Sequence, residues 1–202
     1  CSAGGSIAPS FVSVSSMSSR TARTAARAGA RTLLGFSERQ TNRIVDLVEC
    51  PVLLPAIESS LDQLRELASI LCPGKGTMKI AVIACLNGLD IAANTGFFLS
   101  DKARQAAIEL AIRHRPARLS INGEMVFSLN PPRLAAGKAM VTPPPEAFVQ
   151  AVAAAEEAMA GLVVDHVKSA KRSADLFCGF GPFALRMAEH GAVHAVESSA
   201  AA

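Results

Sequence analysis

Asp175–Glu197, DLFCGFGPFALRMAEHGAVHAVE, decides how the chain is read. Ser173–Phe177 predicts a short strand, and Gly179-Phe180-Gly181 a tight turn whose backbone can approach a ligand closely. Pro182 suits the first position of a following helix, where its missing N–H costs nothing. Phe183, Leu185 and Met187–Ala188 supply an apolar face, Gly191 ends the helix, and Val193–Val196 is the next strand. Glu197 falls at that strand's carboxyl end, about 20 residues past the glycines, where an acid accepts hydrogen bonds from ribose hydroxyls. The stretch reads as half of a mononucleotide-binding unit. An ordinary strand–helix–strand turn with a solvated Glu197 is the alternative.

The turn is not a phosphate cradle of the common kinds. It has no Gly-Lys-Ser/Thr, and only two of the three dinucleotide glycines are present. Asp175 before the turn and Glu197 after the second strand suit a cationic, adenosine-containing ligand better than a pyrophosphate. S-adenosylmethionine is such a ligand.

Around this stretch lie 202 residues, enough for one large or two small cores. Trp and Tyr are absent, so any core rests on Leu, Ile, Val, Met and Phe. A formal net charge of +3 permits RNA binding without arguing for it. Five scattered cysteines with no Cys-x-x-Cys pair read as reduced thiols of an intracellular protein. No apolar run is long enough to span a bilayer. The chain opens on Cys1 and stops just after a strand, so a fragment of a longer protein is expected.

Residues 1–31 are rich in Ser, Ala and Gly and carry Arg20, Arg23, Arg27 and Arg31 with no acid. A transit peptide, a basic RNA-facing segment and disorder over 1–19 are all compatible with that composition. Thr32–Phe36 and Arg43–Val48 read as a hairpin, and Pro55 to Leu71 as one helix stopped by Pro73-Gly74. Met78–Cys85 and Asp90–Ala93 pair through Asn87-Gly88, and Ala117–Ile121 and Glu124–Ser128 through Asn122-Gly123. Between them Asp101–His114 reads as a helix capped by Ser100. The stiff run Val141–Pro145 is the connector to a long helix, Glu146–Val167, with Phe148, Ala151, Val152, Ala155, Met159, Leu162 and Val163 near core spacing. The expected fold is α/β. A basic, Ser/Ala-rich segment at 1–36, partly disordered or strand, precedes a central α+β domain at 37–138, and 139–202 forms the first half of a Rossmann-like domain suited to S-adenosylmethionine.

DLFCGFGPFAL followed by HAVE, and preceded by VTPPPEAFVQ, resembles the class I RNA 5-methyluridine methyltransferases of ribosomal and transfer RNA. LLGFSERQTNRIVDLVECPVL and ACLNGLDI resemble the same family's central region, in the family's order, from about residue 20 onward. The resemblance implies that Gln150 contacts the methyl donor, Phe177 lines its pocket, and Gly179 and Gly181 approach it closely. It implies Glu197 on the ribose, with Asp175 opening the same turn. Pro182 departs from the polar residue usual at its position, which removes one ligand hydrogen bond. Ser198 and Ser199 depart from the usual pair with less effect.

Cys50 matches the last of four cysteines that hold an iron–sulfur cluster in many members. The other three, in a Cys-x5-Cys-x2-Cys pattern upstream, are not in this chain, and one thiolate does not hold a [4Fe-4S] cluster, so the resemblance implies Cys50 as a cluster ligand only in the intact protein. A buried free thiol is the equal alternative for Cys50. Cys72 and Cys85 read as core residues. Family chemistry adds a cysteine thiolate to carbon 6 of uracil, so that carbon 5 attacks the donor methyl, and a carboxylate then removes the carbon-5 proton. Those two residues follow the donor-binding half, so none of the catalytic pair is expected here, and Cys178 sits in the donor turn rather than in the attacking position. Asn130-Pro131-Pro132-Arg133 mimics an amino-methylating motif but stands before the turn and reads as a connector. His114, His166, His190 and His194 have no metal-like spacing.

These readings converge on a cytoplasmic, monomeric enzyme of rRNA or tRNA methylation with no membrane segment, this chain alone being inactive. Two rivals stay open: a methyltransferase of another substrate class, and a non-catalytic RNA-binding remnant motivated by Arg20–Arg43.

Overall fold

Alternation along the strands decides how the chain is layered, and a computed structural model describes it over residues 11–18, 32–37, 44–50, 53–72, 77–150 and 152–199. Strands β1 (Phe11–Ser18), β2 (Thr32–Ser37) and β3 (Ile44–Asp46) come first. Helices α1 (Pro55–Glu58) and α2 (Leu61–Leu71) precede strands β4 (Thr77–Cys85) and β5 (Gly88–Asn94). Helix α3 (Asp101–His114) leads to β6 (Arg118–Ile121) and β7 (Glu124–Ser128). These strands make one sheet in the order β3-β2-β1-β4-β5-β6-β7. Its one parallel pair, β5 with β6, is joined by the crossover through α3, as parallel neighbours require.

Period-two alternation sorts the strands into two faces. Met78, Ile80, Val82 and Ala84 of β4, Ile91 and Ala93 of β5, and Leu119 and Ile121 of β6 enter the main core, against Leu64 and Leu71 of α2 and Leu110 of α3. The residues between them face the other way. There Ile83 and Cys85 join Leu134, Ala147 and Val149 in a smaller core that also receives Phe180.

The expected hairpins are present: β2 pairs antiparallel with β3, β4 with β5, and β6 with β7. Ser100 Oγ accepts the Ala103 N–H at 3.3 Å and caps α3 as its position predicts. The helix expected from Pro55 to Leu71 is broken in two. Ser59 Oγ donates to Ala56 O and Ser60 Oγ to Ile57 O, so hydroxyls occupy carbonyls at the break between α1 and α2. Disorder expected over 1–19 gives way to β1 at Phe11–Ser18; the rest of that stretch, and Arg20–Arg31, lie outside the described residues. The boundary expected at 36/37 falls inside β2, and that at 138/139 falls in the hairpin of β8 (Leu134–Ala136) and β9 (Ala139–Val141).

Beyond that hairpin, α4 (Ala153–Val167), β10 (Arg172–Leu176), α5 (Ala184–Met187) and β11 (Ala192–Val196) follow, with β10 and β11 parallel. The long helix expected from Glu146 starts only at Ala153. Glu146 is left-handed at φ 61°, and the Ala147 N–H closes a turn on Pro144 O. From there to Gln150 the chain is neither helix nor strand, burying Ala147 and Val149 in the smaller core and leaving Phe148 outside. The apolar face expected on α4 is also reversed. Glu156 and Ala160 are buried, whereas Leu162 is 73% exposed, and Arg186 of α5 is paired with Glu156 and Glu157 on this helix. In α5 the buried side chains are Ala184, Arg186 and Met187 rather than Phe183 and Leu185. No helix among the described residues is long and apolar enough to cross a membrane.

Candidate ligand-binding site

The run after the triple proline and the glycine turn after β10 face each other across a cavity of about 390 Å³. That volume lies in the range of small-molecule sites. One wall is Pro144–Gln150; the other is the turn from Phe177 to Phe183, with Glu197 and Ser199 at the end of β11. Alternation explains how Gln150 gets there: Ala147 and Val149 plug into the smaller core, so Phe148 and Gln150 are turned to the cavity.

The strand expected over Ser173–Phe177 ends one residue early. Phe177 is left-handed at φ 61° and 83% exposed. A bulky side chain rarely takes that conformation, and such strain gathers at ligand sites. Gly179 and Gly181 are also left-handed, at φ 54° and 89°, and the Gly181 N–H donates to Cys178 O at 2.9 Å. Leu185 N–H then bonds Gly181 O at 3.0 Å, which puts Pro182 within the first helical turn.

Glu197 locks this turn from the next strand. One carboxylate oxygen accepts the Gly179 N–H at 2.9 Å, and the other accepts the Ser199 N–H at 2.8 Å and the Ser198 hydroxyl at 3.2 Å. The Ser199 and Gly179 N–H groups hold its carboxyl below the ordinary value of 4.5. Asp175 does not line the cavity; its half-buried carboxylate keeps one oxygen, Oδ2, without a hydrogen-bond partner. Gly181 is likewise outside the lining, whereas Gln150, Phe177, Gly179 and Glu197 share it.

Cys178 lines the same cavity. Burial pushes its thiol up, and the charges of Asp175 and Glu197 push it the same way. A thiol held protonated is a poor nucleophile, in line with a place in the turn rather than in attack. Cys50 sits buried in the main core, its N–H donating to Glu58 Oε1 at 3.2 Å. Among the described residues no three His, Cys, Asp or Glu side chains come together as a metal site.

Sequence reasoning missed Glu156 and Arg186. Glu156, 5% exposed on the first turn of α4, lines the cavity. Arg186 of α5 donates to Glu156 Oε1 at 3.4 Å, to Glu157 Oε2 at 2.7 Å and to Pro182 O at 2.6 Å. It therefore ties α4 to the glycine turn. The only signal was a charged pair 30 residues apart in otherwise apolar helices, which no local pattern connects.

No protein-family model matches the chain. It is 49% identical over 170 residues to an uncharacterized RNA methyltransferase of Brucella suis biovar 1 (strain 1330), covering 84% of this chain and 41% of the relative. An uncharacterized RNA methyltransferase of Rhizobium meliloti (strain 1021) is 43% identical over 179 residues, with 88% and 43% covered. A 23S rRNA (uracil(1939)-C(5))-methyltransferase of Shewanella woodyi (strain ATCC 51908 / MS32) is 28% identical over 170 residues, with 80% and 38% covered. The chain thus spans about two fifths of the length of these curated relatives. In fold it is similar to the Pyrococcus abyssi tRNA (uracil-54, C5)-methyltransferase solved with S-adenosyl-L-homocysteine, at a TM-score of 0.63 and 15% identity, covering 94% of this chain and 49% of that one. The resemblance to RNA methyltransferases is borne out by these relatives.

Proposed function

We propose that this relative of the bacterial RNA methyltransferases carries the central domain and the donor-binding half of an enzyme that methylates carbon 5 of uridine. The carrying observation is the meeting of Gln150, Phe177, Gly179 and Glu197 around one cavity. S-adenosylmethionine fits what surrounds that cavity. Its sulfonium and ammonium favour the acidic side chains of Glu156, Glu197 and Asp175, the last with an orphaned oxygen, and among the described residues no Lys or Arg lines the space. When bound, the donor supplies an electrophilic methyl group. The chain's own part is to hold it: Gln150 through its amide, Phe177 through its ring, Gly179 through its backbone and Glu197 toward the ribose. Asp175 and Gly181 stand behind these groups and shape the turn.

Ribosomal RNA is the substrate we favour, since the Shewanella relative is named for it. A cytoplasmic monomer goes with this reading. We assign the central domain to the sheet from β1 through the β8–β9 hairpin and the donor half to the chain after Val141, in place of 37–138 and 139–202. A [4Fe-4S] cluster does not fit the donors in this chain, where Cys50 is the one thiol the resemblance points to, and no step is derived through it.

Isothermal titration of the 202-residue chain with S-adenosylhomocysteine tests the donor site. Saturable one-to-one binding is expected, with ATP and NAD giving none; absence of binding sinks the reading. For the whole protein, label from tritiated S-adenosylmethionine should appear at carbon 5 of uridine in unmodified rRNA, and label elsewhere would reassign the substrate.

Glu197→Gln should weaken S-adenosylhomocysteine binding about tenfold, because a neutral amide replaces a charge that two N–H groups select. The pH dependence follows from the sign of the shift. A carboxyl below 4.5 contributes fully above that pH and loses its contribution as pH falls through the lower folded value. Folding stability should therefore fall on the acid side in the parent, and less steeply in the variant. Equal profiles in denaturant melts from pH 7 to pH 3.5 would mean that Glu197 does not hold the turn.

A further inference from the structure

A buried ion pair on the back face of the central sheet reaches the donor cavity through the connector. Asp90 and Arg118 are register partners on the parallel strands β5 and β6, and both are buried. Arg118 Nε donates to Asp90 Oδ1 at 2.8 Å and Nη2 to Asp90 Oδ2 at 2.6 Å. The same Nη2 donates to Pro143 O at 2.8 Å.

The identity of that acceptor matters. Pro143, Pro144 and Pro145 have no backbone N–H, so this stretch can be held only through its carbonyls. The Pro144 carbonyl is already used by the turn to Ala147. Pro143 O is the remaining handle immediately before the cavity wall, and a forked guanidinium can grip it while staying paired with Asp90. Downstream, Ala147 and Val149 fix the depth of the wall in the smaller core, and Gln150 comes out into the cavity.

We propose that Arg118, oriented by Asp90, is a positioning residue for methyl-donor binding: it pins Pro143 and so sets where Phe148 and Gln150 stand opposite the glycine turn. This rests on the donor-site reading above. It also accounts for a buried ion pair where two apolar side chains would fold as well, since such pairs add little net stability over apolar replacements.

The test uses the 202-residue chain with Arg118→Lys and with the double change Asp90→Leu/Arg118→Met. The double variant removes both charges together, so its melting temperature should stay near the parent's while S-adenosylhomocysteine binding weakens about tenfold. Arg118→Lys keeps a charge for Asp90 but has no fork to reach Pro143 O as well, and should show a smaller loss; it decides the matter if the double variant does not fold. Without ligand, the backbone amide signals of Ala147, Val149 and Gln150 should shift in both variants in nitrogen-15 spectra. Unshifted amides, or affinity that falls only in step with melting temperature, would overturn the proposal. A parent chain that binds no S-adenosylhomocysteine would overturn the donor reading instead, leaving the amide shifts to decide whether Arg118 positions the wall.

Discussion

Gly35→Ala is expected to destabilise the protein by about 3 kcal/mol, at the upper end of what overpacking usually costs. Gly35 lies inside β2, paired with Ser15 of β1 on one side and Asp46 of β3 on the other. A Cβ built there would overlap Val45 O and stand 2.7 Å from Val45 C, backbone atoms that no rotamer change moves. Its φ is not in the left-handed region, so the requirement is for space alone. Relief means displacing β3, and β3 is tied down: Asp46 Oδ1 accepts the Leu34 N–H at 3.1 Å, the Leu47 N–H donates to Leu34 O at 2.8 Å, and Arg65 donates to Leu47 O. Thermal unfolding should show a midpoint lowered by about 6 to 12 °C. Gly161→Ala is the control. It sits in α4 with nothing within 4 Å of an added Cβ, and should raise stability by about 0.5 to 1 kcal/mol. Equal effects at the two sites would refute the packing argument.

Arg186→Met should cost about 3 to 5 kcal/mol, because it strands the buried Glu156 carboxylate without its partner. The exposed contact with Glu157 adds little, that carboxylate being 69% exposed. A second variant separates this cause from simple loss of packing. Glu156→Gln combined with Arg186→Met should recover much of the loss, since no uncompensated charge remains. Denaturant melts of the single and double variants measure it. A deficit unrelieved in the double variant would mean that Arg186 acts through its bulk.

Local chemistry carried most of what was legible in the sequence. Asn87-Gly88 and Asn122-Gly123 make their turns, Ser100 caps α3, and the acid after the second strand returns to the glycine turn. What failed was decided by distant partners. Glu146–Val152 has helix-compatible residues, yet the sheet's back face offers an apolar slot to Ala147 and Val149, and tertiary burial overrides propensity there. FVSVSSMS lies in a Ser- and Ala-rich segment whose composition left disorder and strand both open, and it is the two neighbouring strands that pair with it. Within the site, Gln150 and Glu197 were visible through motif spacing. Glu156, Arg186 and the Asp90–Arg118 pair were not, because each gains meaning from a residue 28 to 30 positions away.

The position of β1 also sets a timetable. It is the earliest strand among the described residues, yet it stands inside the sheet, between β2 and β4. Its partners on β4 lie 60 or more residues further along, with Met17 opposite Thr77 and Phe11 opposite Ile83. During synthesis β1, β2 and β3 must therefore wait with the β4 side of β1 unpaired, until both intervening helices and β4 have left the ribosome. Joining ends so far apart loses chain entropy before any contact compensates, so closing the sheet at β1 and β4 should be the slow step of refolding. The helices α1 and α2, made in that interval, are the natural first cover for the waiting strands.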